Sequence, residues 1–456
     1  MGRPVDARSH RRREDRARRA AFDALRAVTA DGAYANLVLP ALLRERGLAG
    51  RDAAFATELL AGTCRWLGSY DAIIAAAAGR PLTDFQPAVL DLLRLGVHQI
   101  LAMRVPARAG VAASVDLAAV TVGERVTGLV NAVLRRVADK SLDAWCDQLA
   151  QGLDDHDQLA LRTAHPRWIV EAYADLLPPA ELAEALNANN LGPQVSLVVR
   201  PGLAETSDLL REGAQASPHS PFGARWRGDP ADLPLIRDGR AGVQDEGSQL
   251  VAWALTRVPA PSGWWLDMCA GPGGKSALLA GLASLDGSRL LASDLAPHRA
   301  SLVASAVRVY AEQGSAPAVV VADGIQPAWR AGSFTRVLVD APCTGLGALR
   351  RRPESRWRRN PADLEQLHSL QLALLASALD SAAPDGVVGY VTCSPHRRET
   401  TDVLNETLAA RTDVDVIPAS QLLPEISDAG LGPYLQLWPH RHSTDAMFAG
   451  YLRKIA

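Results

Sequence analysis

The sequence predicts a multidomain chain: an all-α bundle over residues 20–140, a small α+β linker module within residues 141–249, and an α/β Rossmann-like domain over residues 250–456. Three observations lead there. Apolar residues recur at helical spacing through residues 20–140, with no alternating strand pattern. Beyond 250, five short apolar runs alternate with helical stretches, as parallel strands and crossover helices do. The chain has 456 residues, 48% of them hydrophobic, which is enough for several buried cores.

Residues 1–19 carry eight arginines (positions 3, 8, 11, 12, 13, 16, 18 and 19) against Asp6, Glu14 and Asp15. So charged a segment builds no core, and a basic disordered arm is expected, either a solvated tail or a contact for phosphates. In AVLDLLRLGVHQILAM, Val89, Leu93, Val97 and Ile100 share one helical stripe, with Asp91, Arg94 and His98 off it. In ERVTGLVNAVLRRV the stripe is Val126, Val130, Val133 and Val137, with Arg125, Arg135 and Arg136 outside. Helix follows helix from 20 to 140, an independent bundle. His98 reads as a partly buried or surface histidine rather than a ligand. Residues 141–190 read as polar helix, VSLVVRP (195–201) as a strand, ETSDLLREG as a short helix, and the Pro-, Gly- and Arg-rich stretch 217–240 as loop.

In the last domain the runs WWLDM, RLLASD, AVVVAD, RVLVDAP and VVGYVTCS end at Asp267, Asp294, Asp323, Asp340 and Cys393. Ligands of open α/β sheets bind beyond the carboxyl ends of the strands. Five strands ending this way place those side chains around one crevice.

Composition excludes several classes. Charged residues are 21% and the formal net charge is -2, so any basic footprint for nucleic acid is local. No run approaches the roughly 18 uncharged apolar residues of a membrane span, and the basic start has no apolar stretch after it, so neither membrane nor secretion is expected. The five cysteines, Cys64, Cys146, Cys269, Cys343 and Cys393, include no Cys-x-x-Cys pair. A reducing cytoplasm fits an odd count in a long chain better than a disulfide framework. His440 and His442 in PHRH have no third ligand nearby, and no metal is expected.

The first strand of the last domain leads into Cys269-Ala270-Gly271-Pro272-Gly273-Gly274-Lys275-Ser276 and then an apolar helix. Glycines let such a turn approach a ligand closely. A phosphate-binding loop would need glycine six residues before its lysine, where Cys269 stands. The dinucleotide pattern fails too, since Ser276 takes its third glycine position. Asp294 lies 20 residues after Gly274, a spacing that suits a carboxylate accepting from ribose hydroxyls. Asp323, at the third strand end, would border the adenine. The set points to an adenosine-type ligand.

Asp340-Ala-Pro-Cys343-Thr-Gly follows the fourth strand and Thr392-Cys393-Ser394-Pro395 the fifth. A free cysteine is usually a small core hydrophobe, the reading given to Cys64 and Cys146. Neighbouring strands lie about 4.8 Å apart, so Cys343 and Cys393 could flank one substrate base. Cys393 also precedes Ser-Pro and a helical stretch, HRRETTDVLNETLAAR, and a helix N-terminus favours a thiolate.

CAGPGGKS, DAPCTG and TCS resemble the signature motifs of RNA cytosine carbon-5 methyltransferases, as do VQDEGSQL (243–250), LRRRPESRW (349–357) and TDAMFAGYLRK (444–454). GAYANLVL (32–39) and GLVNAVLRRV (128–137) resemble the antitermination factor NusB. The combination, over roughly residues 20–456, is similar to the bacterial small-subunit (16S) rRNA cytosine-C5 methyltransferase family (RsmB/Sun/Fmu). The resemblance implies a NusB-like bundle and a class I methyltransferase domain. Three departures stand out: Gly271 replaces the usual second alanine, Thr344 the usual serine, and Ala446-Met447 the common Gly-Phe. None removes a reacting group.

The resemblance implies S-adenosylmethionine as cofactor, held by residues 269–275 with Asp294, Asp323 and Asp340. It assigns the nucleophile to Cys393, which would add to carbon 6 and make carbon 5 enamine-like. Cys343 would assist release of the enzyme, Asp340 would hydrogen-bond the ring near nitrogen 3, and Lys275 would support Asp340. The target base must leave its stack. The arginines at 350, 351, 352, 356, 358 and 359 are either a solvated basic face or, as preferred beside the cleft, contacts for RNA backbone phosphates, with Trp357 either stacking on RNA or simply packing.

Three other functions compete. A non-catalytic NusB-like RNA-binding or antitermination protein is opposed by the complete set Lys275, Asp294, Asp340, Cys343 and Cys393. A DNA cytosine methyltransferase would use the Pro-Cys cysteine and needs no Cys393. A tRNA enzyme shares the chemistry, and only the NusB-like bundle favours 16S rRNA. The expected protein is a cytoplasmic monomer acting on RNA, with neither DNA nor membrane as partner.

Overall fold

The computed structural model of the chain describes residues 15–311, 314 and 316–455. Arg3, Arg8, Arg11, Arg12 and Arg13 of the expected arm lie outside the described residues. Two compact units emerge. The first runs to Glu171, past the boundary expected at 140, and includes Arg351–Arg358; the second is Ala172–Arg350 with Arg359–Ala456. Among the described residues no helix is long and apolar enough to cross a membrane.

The first unit is helical: α1 (Arg16–Ala30), α2 (Ala35–Glu45), α3 (Gly50–Ala78), α4 (Pro87–Leu101), α5 (Ala107–Thr121) and α6 (Thr127–Val137), with shorter helices to residue 163. Asp15 caps α1 by accepting from the Arg18 amide, so Arg16, Arg18 and Arg19 belong to a helix rather than to an arm. Ala17, Ala20, Ala21, Ala24 and Leu25 give that helix a buried face, which residue counting over 1–19 overlooks. Both predicted stripes face the core: Val89, Leu93 and Val97 on α4, and Val130, Val133 and Val137 on α6, are buried. His98 is fully buried, with Nδ1 2.8 Å from the Tyr70 hydroxyl. Burial lowers its pKa, so it sits neutral in the core.

Part of the arginine-rich segment is turned inward, against the expectation of RNA contact for Arg350, Arg356 and Arg358, while Arg352 is exposed and Arg351 and Arg359 are half-buried. Arg356 has no exposed surface and donates to the Ala164 carbonyl at 2.9 Å. The Trp357 indole donates to the Cys64 carbonyl on α3 at 2.7 Å, and Arg358 donates to the Val28 and Ala33 carbonyls. The Glu354 carboxylate, buried, accepts from the Ala35 amide at the start of α2. These guanidinium groups satisfy orphan carbonyls at helix ends and loops, and their stems fill the bundle. Arg350, in the second unit, is likewise buried and pairs with Asp445 at 3.0 Å.

The second unit opens with a four-stranded antiparallel sheet of order β2-β3-β1-β4. Its strands are β1 (Val195–Val199), β2 (Gln215–Ala216), β3 (Gly223–Trp226) and β4 (Ala241–Val243). The strand β3 lies inside the stretch whose composition reads as loop. It forms because its backbone pairs along β1, from Val195–Trp226 to Val198–Gly223, a long-range fact that Pro and Gly counts do not carry. The helix Glu246–Arg257 then runs across the boundary expected at 250.

The main sheet comprises β5 (Trp264–Asp267), β6 (Arg289–Asp294), β7 (Ala318–Val321), β8 (Phe334–Asp340), β9 (Ala382–Thr392), β10 (Val414–Ile417), β11 (Gly430–Leu431), β12 (Tyr434–Gln436) and β13 (Phe448–Lys454). Reading from one edge, β7-β6-β5-β8-β9 are parallel, and β13 joins β9 antiparallel and carries β10 and β12. The five predicted runs are the five parallel strands. The antiparallel edge is not legible as alternation, because β13 is buried on both faces over most of its length. Strand order reverses between β5 and β8, the switch point where open α/β sheets leave a crevice.

Candidate active site

Every element of the crevice comes from the second unit. At the end of β5, Asp267 is fully buried; Oδ2 accepts from the Ser276 hydroxyl at 2.7 Å, and Oδ1 has no hydrogen-bond partner. Burial pushes its carboxyl up to about 7 against the pull of Ser276. The loop 269–274 then turns into the helix Gly274–Leu285, which Gly273 starts with φ 108°. Only glycine adopts that angle freely. Cys269 stays a thiol, its pKa raised by burial.

Asp294 ends β6 and reaches back across the loop. Its Oδ2 accepts from the Gly271 amide and its Oδ1 from the Ala296 amide, each at 2.9 Å. Asp323 lies two residues beyond β7, half-buried, and accepts from the Ile325 amide at 2.9 Å. Asp340 is the last residue of β8, and Lys275 Nζ donates to its Oδ2 at 2.8 Å. Burial works against the Lys275 ammonium, but the charge and hydrogen bond of Asp340 outweigh it and hold the pKa above the ordinary lysine value.

The two cysteines meet. Cys343 Sγ lies 3.4 Å from Cys393 Sγ, on loops after the paired strands β8 and β9. The Cys343 pKa is raised well above the thiol norm, first by the hydrogen bond to Cys393 and then by burial. The two sulfurs are thus within hydrogen-bonding reach of each other. One expectation fails here: Cys393 does not sit at a helix N-terminus. The helix after it starts at Thr401, because Pro395 and a short turn at Arg397–Glu399 intervene.

The closing segment packs on these loops. The Gly347 amide donates to the Cys393 carbonyl at 2.8 Å, and the Ala446 amide donates to the Gly347 carbonyl at 2.9 Å. A Cβ at Gly347 would stand 1.9 Å from the Ala446 oxygen. Asp245 accepts from the Asp445 amide at 3.0 Å and from the Gly247 amide at 2.9 Å. The VQDEGSQL and TDAMF segments are thereby joined.

The crevice thus gathers Lys275, Asp294, Asp323, Asp340, Cys343 and Cys393 around the glycine loop. Sequence reasoning missed Glu399, whose fully buried carboxylate accepts from the residue after each cysteine. The available signal was one acid in the basic run HRRET shortly after Cys393.

The donor set fits an adenosine-bearing cation. Carboxylates at four strand ends, with one lysine, suit ribose hydroxyls and a positive sulfonium. Comparison with known proteins agrees. The family described as 16S rRNA methyltransferase RsmB/F matches residues 254–453, and the NusB family matches residues 15–139. A Mycobacterium tuberculosis protein, whose name says methyltransferase and no substrate, is 50% identical across 98% of this chain and 99% of its own. The ribosomal RNA small subunit methyltransferase B of Pseudomonas putida is 33% identical, over 96% and 98%. The crystal structure of PH0851 superposes with a TM-score of 0.80 at 21% identity, over 96% of this chain and 98% of that one, a likeness of fold.

Proposed function

Because this chain belongs to the RsmB/F family of S-adenosylmethionine-dependent RNA methyltransferases, we propose that it methylates carbon 5 of a cytosine in 16S rRNA. The observation that carries the chemistry is the Cys343–Cys393 pair at 3.4 Å, on the strand ends next to the Lys275–Asp340 pair. S-adenosylmethionine supplies an electrophilic methyl group. Residues 269–275 and Asp294 would hold it, with Asp323 bordering the adenine.

Carbon 5 of cytosine is too weak a nucleophile to take a methyl group unaided. In this reading the Cys393 thiolate adds to carbon 6, and the displaced electron pair makes carbon 5 enamine-like. Asp340, paired with Lys275, hydrogen-bonds the ring near nitrogen 3 and limits charge build-up during addition. After methyl transfer a base, a site side chain or water, takes the carbon-5 proton, the released electron pair re-forms the 5,6 double bond, and the carbon–sulfur bond breaks to return the Cys393 thiolate. Cys343, 3.4 Å from the departing sulfur, assists that release. Two cysteines in contact suit a mechanism that makes and then breaks one bond to sulfur, and a vestigial fold has no need of them. Helices α1–α6 would assist RNA recognition without a reacting group.

The 16S rRNA target follows the relatives' names and the NusB-like bundle; a tRNA target is the alternative. Bisulfite sequencing of total RNA with and without the gene names the cytosine directly. A protected 16S cytosine that becomes convertible on deletion is expected. A change confined to tRNA would replace the target, and no change in any RNA would reject the reading.

A further inference from the structure

We infer that Glu399 is the positioning residue that locks the two cysteine loops in reacting register. This inference rests on the functional reading above and adds a group to it. The Glu399 side chain has no exposed surface. Its Oε1 accepts from the Thr344 amide at 2.7 Å, and its Oε2 from the Ser394 hydroxyl at 2.6 Å and from the Thr344 hydroxyl. Thr344 follows Cys343 and Ser394 follows Cys393. One carboxylate therefore ties the neighbour of each sulfur to a common point, across two strand ends also joined by the Thr344–Ser394 hydroxyl contact at 3.2 Å and by the contact of the sulfurs themselves.

The clamp is itself braced. Gln371 Nε2 donates to Glu399 Oε1 at 3.3 Å and to the Pro342 carbonyl at 2.8 Å, just before Cys343. The Tyr390 hydroxyl donates to the Glu399 carbonyl at 2.8 Å, fixing the backbone that carries the carboxylate. A carboxylate accepts at both oxygens; an amide of the same size must donate at one. Buried donors then lose acceptors, and the two loops lose their common anchor. Glu399 reaches neither sulfur and acts only through their neighbours. Thr344, which replaces the usual serine, keeps the hydroxyl the clamp requires.

The test reads the sulfur spacing without RNA. The azo oxidant diamide takes two electrons and two protons from a pair of apposed thiols; it becomes the hydrazine as the sulfur–sulfur bond forms. Full-length chain with Cys64, Cys146 and Cys269 replaced by alanine isolates the Cys343–Cys393 reaction, followed by loss of free thiols. Glu399→Gln and Ser394→Ala are compared with the parent, each first checked for folding by circular dichroism and for cofactor affinity by calorimetry. Cofactor affinity within two-fold of the parent is expected, with closure at least ten-fold slower in Glu399→Gln and slowed less in Ser394→Ala. Methylation kcat should fall by about 100-fold in Glu399→Gln, the cost of a misplacement near 1 Å, with KM for RNA unchanged. Closure at the parent rate in both variants overturns the inference; if Glu399→Gln does not fold, parent-rate closure in Ser394→Ala alone overturns it. Unmodified chain that methylates no cytosine would defeat the functional reading and leave the closure result standing.

Discussion

Cys343 and Cys393, 50 residues apart in the chain, bring their sulfurs to 3.4 Å because β8 and β9 are parallel neighbours. Their order in the reaction separates them. Cys393→Ala should form no covalent bond to RNA and no product. Cys343→Ala should attack and methylate, then stall in an adduct that survives a denaturing gel. An adduct with Cys393→Ala, or none with a folded, cofactor-binding Cys343→Ala, would reverse or remove the assignment.

Asp294 should govern cofactor affinity. It is the acceptor for the Gly271 and Ala296 amides, so it both shapes the loop and offers charge to ribose hydroxyls. Asp294→Ala should weaken S-adenosylmethionine binding by about 1.5–3 kcal/mol, the range for a hydrogen bond to a charged group. Calorimetry reads this directly, and an unchanged Kd would reject the role.

Asp267 makes the cofactor-free protein pH-sensitive. Burial holds its folded pKa at about 7, whereas an unfolded aspartate titrates near 3.9. Between those values the folded state binds more protons, so stability falls as pH rises from about 4 to 7 and is level above. Asp267→Asn removes that slope. The variant should gain on wild type by on the order of 2 kcal/mol between pH 5 and pH 8. Denaturant titrations at both pH values measure it; an equal difference at each would disprove the shift.

Trp357 and Arg356 should matter to stability rather than to RNA. The Trp357 indole is tied to the Cys64 carbonyl and Arg356 is fully buried, whereas Arg352 is exposed. Trp357 is half-buried, so Trp357→Ala should cost about 2 kcal/mol, below the range for a large aromatic fully inside a core. Arg352→Ala should change the melting temperature little. If Trp357→Ala melted like wild type and lost RNA affinity, the RNA-stacking reading of Trp357 would stand instead.

Gly347 has no room for a side chain. A methyl there would meet the Ala446 oxygen at 1.9 Å and the Cys393 oxygen at 2.9 Å, and both are backbone. Gly347→Ala should displace the Cys393 loop and lower methylation about 100-fold, with cofactor affinity within two-fold by calorimetry. Wild-type turnover would show that the closing segment moves freely.

Much of the site was legible because its signals are local. A glycine loop after an apolar run, acids at strand ends and two cysteines in Pro-Cys-Thr and Thr-Cys-Ser settings sit within a few residues of the strands that present them. The amphipathic stripes of α4 and α6 were readable for the same reason, since helical burial repeats along the chain itself.

What only the tertiary structure decided depends on partners far along the chain. Arginines at 356 and 358 read as a nucleic-acid surface because composition records charge. Whether a guanidinium meets phosphate or a buried carbonyl is set by the residues folded against it, here Ala164, Val28 and Ala33. Glu399 was invisible for a related reason: a lone acid in a basic run looks solvated until four donors from three segments converge on it. The sequence by itself determined which candidate groups exist and that they follow strand ends. Strand order and burial decided which of them touch, because hydrogen-bond satisfaction in a dry interior is a property of the whole packing and not of any one segment.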